Sequence, residues 1–288
     1  MTGAHAVSAV DGDRPVLVVG ASGKTGRAVT SALLARGVVV RAAVRPGREG
    51  AAPAGAVPVA LDLVSGRGLT AAFDGARAAY HLAPNVHPDE VGIARRVADA
   101  AAAAGLPRFV FHSVLHPEDA RMPHHLRKAE AEALLRAVLG ERVTVLRPSA
   151  YHQNLLGQAL DGVVTVPYSP DAPFSTVDLD DVAQVAADAL TGGHAAATLD
   201  LAGPDVLTTR QMAEQASDVL GRPVEVRRTS VDEWVAGPGA ALPPPARDAL
   251  IAMFRAYDDG GLVGDGSVLA AALGRPPTTW RTCVSRSA

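Results

Sequence analysis

VLVVGASGKTG, residues 16–26, runs a short apolar stretch into three glycines spaced GxxGxxG, and an alanine- and leucine-rich segment follows. A strand that enters a glycine turn opening a helix builds a cradle for a dinucleotide. Gly20 turns the chain off the strand, Gly23 admits a pyrophosphate to the backbone, and Gly26 lets helix and strand pack closely. Ser22, Lys24 and Thr25 complete the same binding loop. The glycine spacing alone is weak, but a second apolar stretch at 38–44 closes a strand–helix–strand unit around it.

That second strand ends in Arg45, about where a fold preferring the unphosphorylated cofactor places an acid for the ribose 2′-hydroxyl. A guanidinium there forks onto a 2′-phosphate, and Lys24 offers a second cation nearby, so the expected cofactor is NADP(H) rather than NAD(H). The competing reading makes Arg45 a solvated strand-end cation and Lys24 an ordinary loop lysine.

Further along, strands are predicted at 56–61, 78–82, 108–113 and 143–146, with helices at 90–104 and 123–139 between them. This alternation predicts a Rossmann-type, doubly wound α/β fold with a mostly parallel sheet, ligands lying at the strands' carboxyl ends. Asp62-Leu63 and Ala83-Pro84-Asn85 are two such ends and face the cofactor. Residues 1–13, small and polar, read as a flexible tail; 14–154 form the nucleotide-binding core, completed by 176–203. A smaller substrate lobe takes 155–175 and 204–282, with a strand at 162–166, a helix capped by Thr208 or Thr209 and stopped by Gly221, and a short strand at 224–228. Pro243–Pro245 reads as a surface linker, and Asp180 and Asp181 as a helix N-cap and a first-turn carboxylate rather than catalytic acids.

Composition narrows the function. The 288 residues are 48% apolar and 20% charged with net charge −3, so a large core is possible and no basic stripe for nucleic acid exists. No apolar run is long enough for a membrane span, and MTGAHAVSAVDGDR lacks the features of a signal peptide, so a cytoplasmic location is expected. The single Cys283 forms no internal disulfide and is read as incidental. The expected partner is a small-molecule substrate, with a homodimer as the protein partner allowed for.

GASGKTG, Arg45, HSVLHP (112–117), PHHLRK (123–128), LRPSAYHQN (146–154), VDLDDVA (177–183), LAGPDVLT (201–208), LGRPV (220–224), YDDGGLVGDG (257–266) and LGRPPTTW (273–280) occur in order across the chain. Together they resemble the NmrA-like family of atypical short-chain dehydrogenases/reductases. The resemblance implies the nucleotide-binding fold, and includes quinone and dye reductases, ether and phenylpropanoid reductases, and non-catalytic NADP-binding regulators.

Short-chain dehydrogenases pair a serine after one strand with a tyrosine four residues before a lysine. Here Ser113 and Lys128 stand in place, but His124 replaces the tyrosine. Spacing of four sets His124 and Lys128 on one helix face, where an imidazole of ordinary pKa is a capable acid; alternatively it caps or packs. The resemblance implies that Lys128 reaches the ribose hydroxyls; the alternative is an ion pair with Glu132. By the same analogy Pro148 helps orient the nicotinamide while Tyr151 and Asn154 overhang it, Tyr151 being a second candidate phenolic donor or a packed core residue. His112, His116, His124 and His125 lack the spacing of a metal site, so no metal is expected. Trp234, Phe254 and Tyr257 are candidate pocket walls. The leading function is NADPH-dependent reduction of a flat conjugated acceptor such as a quinone, enone or imine; the alternatives are a non-catalytic NADP(H) sensor and a redox-neutral biosynthetic enzyme.

Overall fold

Side-chain alternation along β1 (Val16–Val19) divides the core, because in a strand successive residues face opposite sides of the sheet. In the computed structural model, which describes residues 14–288, Val16 and Val18 join one apolar cluster and Leu17 and Val19 the other. The tail expected at 1–13 lies outside the described residues. β1 is followed by α1 (Lys24–Leu34), β2 (Val40–Val44), β3 (Val57–Ala60), α2 (Leu69–Phe73) and β4 (Ala78–His81). Then come α3 (Glu90–Ala103), β5 (Phe109–His112), α4 (Pro123–Leu139) and β6 (Val143–Pro148).

The chain continues through α5 (Leu156–Asp161), β7 (Val163–Val166), β8 (Pro173–Phe174), α6 (Leu179–Thr191) and β9 (Thr198–Leu201). Seven strands form one sheet in the order β3-β2-β1-β4-β5-β6-β9, every neighbouring pair parallel. Order reverses between β1 and β4, so a crevice opens at the strands' carboxyl ends. α1 and α6 cover one face; α2, α3 and α4 cover the other. Full burial on both sides explains why β1, β4 and β5 carry no alternation of polar and apolar residues.

β10 (Leu207–Thr208), α7 (Thr209–Leu220), β11 (Glu225–Arg228), α8 (Val231–Ala236), α9 (Pro244–Gly260), α10 (Ser267–Leu273) and α11 (Trp280–Ser285) complete the fold. β7 pairs with β11 and β8 with β10, outside the main sheet. Three expectations need correction or narrowing. The α6 cap is Asp178, whose side chain accepts from the Asp180 amide, while Asp180 and Asp181 sit in the first turn. Buried Asp181 accepts instead from Arg275 and the Thr278 amide, each at 2.6 Å, tying down the chain before α11. Pro244 and Pro245 are not linker but the first turn of α9, where a missing N–H costs nothing. Of the two threonines, Thr208 caps α7 through a reciprocal box with Gln211.

Candidate active site

A cavity of about 1060 Å³ runs from the glycine turn, across the carboxyl ends of the strands, into the region after residue 155. Gly20 holds φ at +82°, and a Cβ at Gly26 would stand 2.1 Å from the Gly20 carbonyl. The first residue makes the turn and the second allows α1 to start against it. Of the loop residues, Gly20, Ser22, Gly23, Lys24 and Thr25 line the cavity, whereas Gly26 lies behind it. Gly23 is the N-cap of α1 and supplies no side-chain cap, and no acid stands in the first turn, so the first amides of the helix face the cavity uncompensated. That is an anion site by construction, and it fits the pyrophosphate of a dinucleotide.

Arg45, Asp62, Leu63, Ala83 and Pro84 line the same end. The Asp62 carboxylate closes its own turn through Ser65 and the Val64 amide, and the Ser65 hydroxyl holds it below the usual carboxylate range. The second cation expected beside Arg45 turns the other way. Lys24 Nζ donates to Asn154 Oδ1 at 2.8 Å and stands 5.4 Å from the centre of the Tyr151 ring, beyond β6 rather than beside β2. Burial lowers its pKa.

On the α4 side, Lys128 and His124 both line the cavity, one turn apart. Lys128 Nζ donates to the His112 carbonyl at 3.0 Å and meets Glu90 Oε1 at 2.6 Å, a contact of charge on charge off the line of a good hydrogen bond. The alternative pairing with Glu132 does not form; Glu132 binds Arg147 and accepts from the Ser113 hydroxyl. Ser113 therefore borders the cavity with its proton committed to the protein interior. His124 is buried, its Nδ1 without a partner among the described residues. Burial first, then the charges of His125, Arg127 and Lys128, push its pKa down to about 3. It is neutral at neutral pH, not the imidazolium acid that an ordinary pKa would supply.

On the α1 side, His112 closes β5 between two phenols. Its Nδ1 lies 2.6 Å from Tyr80 Oη and its Nε2 2.7 Å from Tyr151 Oη. Burial and the Lys128 charge hold His112 down to about 3, and burial raises the Tyr151 pKa. Thr25 lines the cavity alongside Tyr151.

Past Tyr151 and Pro148, the cavity wall turns apolar. Tyr168, Phe174, Trp234, Phe254 and Tyr257 form a chain of ring contacts with centroids 4.8–6.3 Å apart. No charged residue lines this end among the described residues from 155 on. The four-histidine patch does not converge: His116 meets the Val263 carbonyl and His125 the His116 carbonyl, and no metal-holding group of three exists among the described residues. Sequence reasoning missed Glu90, Tyr80 and the bridging place of His112. A tyrosine within the buried strand AAYH was the available signal, since a buried phenol requires a partner.

A model of the NmrA-like family matches residues 12–280. The chain is 32% identical over 274 residues to (4-alkanoyl-5-oxo-2,5-dihydrofuran-3-yl)methyl phosphate reductase of Streptomyces griseus subsp. griseus, covering 92% of this chain and 95% of that protein. It is 27% identical over 274 residues to the NAD(P)H azoreductase of Xenophilus azovorans, with the same coverages. Among solved structures, an NADPH-dependent quinone oxidoreductase from Escherichia coli complexed with NADPH superimposes with a TM-score of 0.79 at 25% identity, covering 94% of this chain and 99% of that one. No helix of the described residues is long and apolar enough to cross a membrane.

Proposed function

This chain belongs to the NmrA-like family, and from that premise we propose that it is an NADPH-dependent reductase of flat, conjugated acceptors. One observation carries the reading: a single cavity joins an uncapped helix N-terminus to an uncharged wall of five aromatic rings. The similar proteins act on a quinone, an azo compound and an unsaturated lactone phosphate by name, all with an electron-poor conjugated system.

The amides of the Gly20–Thr25 turn hold the pyrophosphate, Arg45 takes the 2′-phosphate, and Lys128, anchored by Glu90, meets the ribose with its remaining N–H. Asp62, Leu63, Ala83 and Pro84 border the adenosine, while Pro148 and Tyr151 border the nicotinamide. The cofactor supplies the hydride. Tyr168, Phe174, Trp234, Phe254 and Tyr257 stack on the acceptor and exclude water; because that wall carries no charge, the end of the acceptor it encloses is neutral. We read the enzyme as cytoplasmic, where the nicotinamide pool lies.

NADPH consumption against a panel of quinones, enones and azo acceptors tests the reading. Turnover with at least one class is expected; binding of NADPH with no turnover across the panel leaves the non-catalytic sensor in its place. Arg45→Asp is expected to move the preference toward NADH by about ten- to a hundredfold, since one charge-assisted contact changes hands. An unchanged ratio of the two cofactors' kcat/KM refutes the role of Arg45.

A further inference from the structure

We infer that Tyr80 locks His112 in one tautomer, so that Tyr151 is left as the residue whose proton is free to be given to the acceptor. The inference rests on the reductase reading above and deepens it.

Tyr80 is fully buried and does not line the cavity. Among the described residues, its hydroxyl has His112 Nδ1 as its one hydrogen-bond partner. A neutral imidazole has one N–H and one bare nitrogen, so two arrangements compete. If Nδ1 carried the hydrogen, the Tyr80 proton would be buried without an acceptor, a penalty that folded proteins avoid. Tyr80 must donate. His112 Nδ1 then accepts, the imidazole hydrogen sits on Nε2, and Nε2–H donates to Tyr151 Oη across the 2.7 Å contact.

The consequence falls on Tyr151. Its oxygen already accepts from His112, so its own proton turns away from His112 toward the cavity that Tyr151 lines. With an acceptor bound, the Tyr151 O–H bond breaks and an O–H or N–H bond forms on the acceptor atom that gathers the electron pair brought by the hydride in the same turnover. The phenolate left behind is held by His112 Nε2–H and by the Lys24 ammonium beside the ring, and regains a proton from water after product leaves. His112 stays neutral throughout, as its burial requires. Tyr151 is the donor; His112 and Tyr80 are positioning residues.

The tautomer is directly visible in the full-length protein without cofactor. With ¹⁵N-labelled histidine, long-range ¹H–¹⁵N spectra distinguish a pyrrole-type nitrogen from a pyridine-type one, and loss of one ring's signals in His112→Asn assigns the residue. His112 is expected with the proton on Nε2. Tyr80→Phe removes the donor that fixes Nδ1 as an acceptor, so the lock is lost and the proton is expected to be shared between Nε2 and Nδ1, with kcat down about tenfold or more and KM within about twofold. A wild-type His112 protonated on Nδ1 overturns the inference, as does a Tyr80→Phe protein that keeps both its Nε2–H and its kcat. Should Tyr80→Phe not fold, the wild-type spectrum still decides. If the Nε2–H is found in a protein that turns over no acceptor, the reductase reading fails and the tautomer lock stands; with an Nδ1–H in an active reductase, the lock fails and the reductase reading stands.

Discussion

The two flanks of the strand ends at β4, β5 and β6 are ordered by different physics. On the α4 flank charge is set against charge: Lys128 on Glu90, and Arg147 on Glu132, which also takes the Ser113 proton. On the α1 flank neutral groups stand in line from Tyr80 through His112 to Tyr151. The first arrangement fixes a cation at one place. The second fixes where a proton sits without holding a charge. Spacing along α4 brings His124 beside Lys128, but burial and that same cation strip the imidazole of its charge, so the acid that this spacing suggests moves to the other flank.

The largest expected effect is on pH dependence. His81 and His124 on the α4 side of the sheet and His112 on the α1 flank are all pushed down to about 3, each mainly by burial. In the unfolded chain they bind protons below about pH 6.5 while the folded chain does not, so stability is lost as pH falls from that value toward 3. At about 1.4 kcal/mol per histidine per pH unit below about pH 6.5, the three cost roughly 6 kcal/mol between pH 7 and 5. Urea unfolding at stepped pH checks this, and His124→Gln should flatten the slope by about a third. A stability that is level from pH 7 to 5 removes the claim that these rings are desolvated.

Next in size is Lys128→Met, which leaves the buried Glu90 carboxylate without its cation. A loss of about 3–5 kcal/mol is expected by chemical denaturation, much of it restored in the double variant with Glu90→Gln. A loss under about 1 kcal/mol would mean that charge does not order the α4 flank. The two flanks then separate in kinetics: Tyr151→Phe should lower kcat about a hundredfold, whereas His124→Gln should change it by less than about threefold. The opposite ranking returns the proton to α4. Smallest is Ser113→Ala, expected to cost about 1 kcal/mol of stability through Glu132 with kcat within about twofold.

Much of the frame was legible because it depends on short-range rules. Apolar runs ending in Gly20, Asp62, Ala83 and Ser113 identified the strand ends that border the cavity, and Pro123 and Leu139 bounded α4 as expected. Partners were not legible. Glu132, four residues from Lys128, was the natural candidate for its ion pair, yet Arg147 on β6 takes Glu132 and Glu90 on α3 takes Lys128. Lys24 reads as a companion of Arg45 and instead reaches Asn154, 130 residues away.

By itself the amino-acid sequence determined the parallel sheet, the glycine turn and many of the residues that line the cavity, because apolar periodicity and glycine geometry act over a few residues. Only the tertiary structure decided which of those residues carry charge and which hold a proton. Desolvation and hydrogen-bond pairing depend on what other strands and helices bring alongside, and for His112 that meant one tyrosine from β4 and another from beyond β6.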